Sequence, residues 1–120
     1  TKKITKNYHV KNNSQKTIFL TESENFISTE NCIYENAIFD IHLISSICDI
    51  LYKNEIQSVI IEGGSKTLQS FIDANLWDEA RVFIGKTTFQ NGTTAPIISG
   101  NPVAGFDIMN DELKIFKNYD

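Results

Sequence analysis

Six consecutive residues, Glu62-Gly63-Gly64-Ser65-Lys66-Thr67, put a carboxylate, two positions without side chains, an ammonium and two hydroxyls in a row, directly after the apolar run Val59-Ile60-Ile61. A strand that ends in Gly-Gly can turn sharply, and a ligand can approach its backbone with no Cβ in the way. If a helix starts there, its first N–H groups are unpaired and point into the gap, which makes an anion site suited to a phosphate. Glu62 then stands at the mouth of the crevice where ligands collect in open α/β sheets. The plain alternative is an ordinary turn, because short glycine motifs have low specificity.

The flanking elements decide whether those residues can be held in place. Ser58 to Ile61 reads as a buried central parallel strand, since nothing polar interrupts it. After the glycines, Leu68, Phe71 and Ile72 form the inward face of a helix that Ala74-Asn75 ends, and a strand follows through Val82 and Phe83 to Gly85. Upstream, Ile41, Ile44, Cys48 and Leu51 recur at helical spacing, widened by Leu43, Ile47 and Ile50. This predicts an amphipathic helix over Asp40 to Tyr52, with Asp40 as N-cap and Asn54 taking the left-handed turn at its end. Thr17 to Thr21 is a strand with an exit turn over Glu22 to Asn25, and Cys32-Ile33-Tyr34 is a further strand. Lys2 to Lys16 is polar and basic, an edge strand with a loop or a loose terminus. Phe89 to Thr93 reads as a loop with Gly92 at positive φ and Pro96 fixing the exit. Leu113 to Phe116 adds an antiparallel edge strand.

Composition bounds the partners. At 120 residues with 41% hydrophobic content, the chain is one domain at most. Its net charge of −4 lacks the basic footprint of a nucleic-acid binder. No apolar run approaches membrane-spanning length, and a cytoplasmic location is expected. Cys32 and Cys48, with only His9 and His42 for company, have no metal spacing and read as reduced core thiols. His42 is a surface or half-buried residue, and Trp77 and Phe83 are core aromatics. Asp78, Glu79 and Arg81 read as a solvated edge or an ion-pair cluster, in which exposed pairs contribute about 0 to 1 kcal/mol.

Ile-Glu-Gly-Gly-Ser at 61–65, Leu-Gln-Ser-Phe-Ile-Asp at 68–73, Leu-Trp-Asp-Glu-Ala-Arg-Val-Phe at 76–83, and Phe89 to Gly92 with Ala95-Pro96 follow one another in order. Together they resemble the carboxyl-terminal reductase domain of the bifunctional riboflavin-biosynthesis deaminase/reductase, the RibD type. The resemblance is dense from Asp40 to Pro96 and thinner over Thr17–Glu22 and Glu112–Phe116. It implies a dihydrofolate-reductase-like α/β/α fold in three layers around a mostly parallel central sheet. It also implies an NADPH-dependent reduction of 5-amino-6-(5-phosphoribosylamino)uracil, a pyrimidine ribosyl phosphate, to its ribityl form, by a homodimer. Under this resemblance Gly63, Gly64 and Ser65 cradle the NADPH phosphates through backbone N–H groups, with the Ser65 or Thr67 hydroxyl as a further donor. Glu62 faces the substrate, Gly92 lies near the cofactor, no catalytic residue is assigned, and no metal is implied.

Residues 1–120 are expected to be the carboxyl-terminal portion of such a domain, with the sheet incomplete on its amino-terminal side and no catalytic competence on its own. Thr5 and Lys11 stand where the family carries Asp and Pro, and no deaminase zinc motif is present. A catalytically silent module for assembly or ligand binding is the alternative from a different functional class. A related reductase with another substrate is the third.

Overall fold

The computed structural model describes residues 14–88 and 90–119. The expectations for His9 and for Ile4 to Lys11 therefore lie outside the described residues, as does Phe89. The chain divides into two units between Ser58 and Val59, and each is described by itself.

In the first unit, β1 (Thr17–Thr21) and β2 (Cys32–Asn36) pair in parallel, Phe19 opposite Tyr34. Their rings stack with centroids 5.0 Å apart, and Phe26, from the connection between the strands, stacks on Tyr34 at 4.7 Å. That connection contains no helix, so its hydroxyls carry the turns. Thr21 Oγ1 accepts from the Ser23 N–H at 3.1 Å and Ser23 Oγ from the Asn25 N–H at 3.4 Å, giving the exit turn read in the sequence. Further along, Ser28 Oγ accepts from the Tyr34 N–H at 2.9 Å and Thr29 Oγ1 from the Cys32 N–H at 3.2 Å.

The helix α1 spans Leu43–Lys53 and starts later than expected. Asp40 is not its N-cap: Asp40 Oδ1 accepts from the His42 N–H at 2.8 Å and closes a separate turn ahead of the helix. A short carboxylate bonds its neighbouring backbone as readily as a helix end, which accounts for the shift. Ile41, left outside the helix, is 91% exposed, whereas Ile44, Cys32 and Ala37 are buried. Cys48 is half-buried, and no disulfide joins the two cysteines. At the other end Asn54 keeps φ −89° and the left-handed residue is Glu55, at φ 59°. The Ile56 N–H reaches the Leu51 carbonyl at 3.0 Å, so Glu55 occupies the position after the cap in a Schellman-type ending.

In the second unit, α2 (Ser65–Asp73) ends in the same way, with Asn75 at φ 55° and the Leu76 N–H on the Phe71 carbonyl at 3.0 Å. Phe71 is its buried residue, with Leu68 and Ile72 half-buried beside it, the inward face read from the spacing. A three-stranded antiparallel sheet follows, β3 (Glu79–Ile84), β4 (Ala104–Ile108) and β5 (Asp111–Lys117), in the order β3-β5-β4. β5 is therefore central, not an edge. β4 was not foreseen because Gly105 and Asp107 weaken its strand character. Phe83, Leu113 and Phe106 align across the three strands as an apolar ladder, yet Phe83 is 63% exposed and not the core aromatic expected, because β3 is an edge strand. Asn118 ties the unit together: its N–H bonds the Asp78 carbonyl at 2.9 Å, and its Nδ2 bonds Asn75 Oδ1 at 2.9 Å and the Trp77 carbonyl at 3.0 Å.

The architecture is mixed α/β, but the described residues form one parallel pair and one antiparallel sheet rather than a single mostly parallel one. The expected buried strand over Ser58 to Ile61 is not formed. Residues 56–64 carry neither helix nor strand, and Ile60 is 84% exposed. β-branched residues favour a strand only where a neighbour supplies ladder partners and covers both faces. Among the described residues, no helix is long and apolar enough to cross a membrane.

Lys53 at the end of α1 reaches Glu35 on β2, with Nζ 3.0 Å from Oε2, and Asn54 Nδ2 lies 3.3 Å from Oε1. The Lys53 hydrogen bond first, and the Asn54 bond second, hold the Glu35 carboxyl below its ordinary value of 4.5, against the opposing effect of burial. A depressed carboxyl pKa stabilises the fold above 4.5, and that contribution is lost as the pH falls through the folded value. Glu35→Gln is thus expected to cost about 0.2–1 kcal/mol at neutral pH, because Lys53 is largely solvated. In urea unfolding followed over a pH series, that difference should shrink to nothing in acid.

Candidate functional site

The chain enters the site as extended backbone and becomes helical at Ser65, with Gly64 as N-cap at φ −60° and ψ 166°. The two glycines are bare for different reasons. A Cβ at position 63 would lie 2.9 Å from Thr67 Cβ and 3.1 Å from its Cγ2, so the side chain of Thr67 occupies the space a larger residue would need. A Cβ at position 64 would meet nothing within 4 Å, and its φ is open to any residue. The fold therefore requires glycine at 63. At 64 it leaves a gap.

The helix opens with its donors unpaired. The first helical bond runs from the Leu68 N–H to the Gly64 carbonyl at 3.1 Å. The N–H groups of Gly63, Gly64, Ser65, Lys66 and Thr67 have no acceptor among the described residues, and no side chain caps the end. No acidic residue lies in the first turn, and Lys66 adds its own charge to the partial positive charge of the helix end, roughly half an elementary charge. Free donors, positive potential and an uncovered Cα at 64 fit a phosphate group. Glu62, one residue ahead of the pair, is exposed, and its carboxylate accepts no hydrogen bond from a described residue. Thr67 keeps its hydroxyl beside Gly63.

Ser65 behaves differently from the expectation that its hydroxyl serves a ligand. Ser65 Oγ donates to the Thr94 carbonyl at 2.6 Å, which leaves its backbone N–H as the donor it can offer. That bond draws the 90–97 loop to the helix. The loop is held a second time by Gln69, whose Oε1 accepts from the Ile97 N–H at 2.7 Å and whose Nε2 donates to the Ile97 carbonyl at 3.3 Å. Gly92 lies two residues before the first attachment. Its φ is not positive, however; the left-handed glycine is Gly100, at φ 93°. Gly92 borders an open hollow of about 540 Å³ whose other walls include Thr87, Thr88, Asn91, Thr93 and Thr94. These are hydroxyls and an amide, suited to polar atoms.

Gln69, Thr94 and Ile97 were not singled out in the sequence. Their bonds span 28 or 29 residues and join a side chain to backbone, so no local pattern announces them. Glu79 and Arg81, by contrast, form the simple pair expected of them, Nε to Oε1 at 2.8 Å on an exposed edge.

No curated protein and no solved structure matches the chain. A family model described as the RibD C-terminal domain matches residues 1–109, a span that takes in the glycine turn, α2 and the loop latched to it. The family is one of oxidoreductase-type enzymes with a reductase role in riboflavin biosynthesis. On the strength of that match, reached independently of the free amides and the gap at position 64, the chain belongs to the RibD C-terminal domain family.

Proposed function

We propose that this chain binds NADPH and takes part in reducing 5-amino-6-(5-phosphoribosylamino)uracil to the ribitylamino product, within a dihydrofolate-reductase-like domain. The observation that carries the reading is the row of unpaired amides from Gly63 to Thr67 in front of an open Gly64 Cα. In this reading the amides of Gly63, Gly64 and Ser65 hold the diphosphate, the Thr67 hydroxyl adds a donor, and Lys66 supplies charge. The loop at Gly92 borders the nucleotide. Glu62, exposed and unsatisfied by described residues, orients the ribose hydroxyls or the pyrimidine of the substrate. NADPH, when bound, supplies the hydride; the protein's share is to fix the distance and angle of approach. The reading extends to a cytoplasmic homodimer with no nucleic-acid partner, supported by the family resemblance and the net charge of −4.

The two glycines give the test its contrast. Gly63→Ala should lower stability by about 1–3 kcal/mol through overpacking against Thr67. Gly64→Ala should leave the unfolding midpoint nearly unchanged, since nothing lies within 4 Å. Gly64→Asp should keep the fold yet weaken NADPH binding at least about ten-fold, by placing negative charge against the phosphate. Fluorescence titration with NADPH reads the affinity and urea unfolding the stability. Equal affinity in wild type and Gly64→Asp contradicts the assignment, and absence of binding by the wild type favours a silent module. In a protein extended ahead of residue 1, turnover of the pyrimidine, with none of dihydrofolate, is the expected substrate result.

A further inference from the structure

Ser65, Gln69 and Asp73 recur every four residues and so share one face of α2. Each is engaged. Ser65 Oγ donates to the Thr94 carbonyl at 2.6 Å, and the Gln69 carboxamide bonds both polar backbone groups of Ile97, accepting at 2.7 Å and donating at 3.3 Å. Asp73 Oδ1 accepts the remaining donor capacity of Gln69 Nε2 at 2.8 Å. A carboxylate at 73 demands a donor, so it fixes which end of the Gln69 amide is nitrogen, and only that orientation matches the donor and acceptor of Ile97. Neither a carboxylate nor an apolar residue at 69 reproduces the set.

The order of the attachments fixes the direction of the loop. Thr94 is held at the first residue of α2 and Ile97 one turn further on, so the segment 94–97 runs alongside the helix in the same sense as the helix itself. Residues 90–93 directly precede the attachment at Ser65, the first residue of the helix whose opening amides are unpaired. From this juxtaposition we propose that Gln69, with Ser65, is a positioning residue that latches the loop along α2 and sets residues 90–93 as the wall of the nucleotide site. The proposal rests on the NADPH reading of the preceding section. Gln69 touches no nucleotide atom in it and acts through the loop.

The test compares wild type with Gln69→Leu and Gln69→Glu by NADPH titration and by amide hydrogen exchange. Gln69→Leu removes both bonds to Ile97 and should raise the Kd for NADPH about ten-fold, the effect of losing one or two modest hydrogen bonds. Exchange at the Ile97 amide should accelerate while β3 and β5 keep their protection. Gln69→Glu retains the acceptor for the Ile97 N–H but sets a carboxylate against Asp73 and the Ile97 carbonyl, and should fall between the two. If the leucine variant fails to fold, the glutamate variant carries the same comparison. Unchanged Ile97 exchange, or accelerated exchange with unchanged Kd, overturns the latch alone. A wild type that does not bind NADPH overturns the nucleotide reading, and the latch's role in it.

Discussion

Thr67 lies so close to the main chain at Gly63 that a Cβ there would come within 2.9 Å of it. This contact lets the first turn of α2 fold back against the incoming chain with no capping side chain between them. A Ser, Thr, Asp or Asn at the N-cap would have spent its oxygen on the N–H groups of the first turn. Gly64 at that position leaves them unpaired. The cap is worth about 1 kcal/mol to a typical helix, and forgoing it keeps the donors available to a ligand.

The rest of the second unit compensates by other means. α2 is anchored by one buried aromatic, Phe71, by a Schellman-type ending at Asn75, and by the stripe of Ser65, Gln69 and Asp73 that engages the loop. Asn118, directly after β5, bonds Asn75 at the end of that helix and the carbonyls of Trp77 and Asp78 ahead of β3. The local framework is thus largely polar and directional. Such bonds contribute roughly 0.5–1.5 kcal/mol each but fix geometry more narrowly than apolar contact does. The first unit is held differently, by stacked rings on a parallel strand pair and by a buried Ile44 on α1.

The sequence revealed what depends on local chemistry. Gly63-Gly64 before an apolar 3.6-residue pattern located the helix start and its open donors, and Ala74-Asn75 located its end. Ordered motifs identified the family. Elements that depend on distant partners were not legible. Val59-Ile60-Ile61 has the composition of a central strand, yet extended chain becomes strand only when a ladder forms beside it. β4 carries a glycine and an aspartate and exists by pairing with β5. Asp40 had the chemistry of a cap, and which of two neighbouring backbone turns it would close was a competition of similar energies. Gly92 suggested a left-handed turn, but the loop is shaped by its attachments to Ser65 and Gln69, side chains nearly thirty positions away. The backbone groups they hold, at Thr94 and Ile97, leave no periodic trace.

We propose that the amides of Gly63, Gly64 and Ser65 receive the phosphates of NADPH, and a ¹H–¹⁵N spectrum recorded as NADPH is added tests this by following those three resonances. The account predicts that they shift together and saturate along one binding curve. Shifts confined to other parts of the chain, with these three unmoved at saturation, would contradict it.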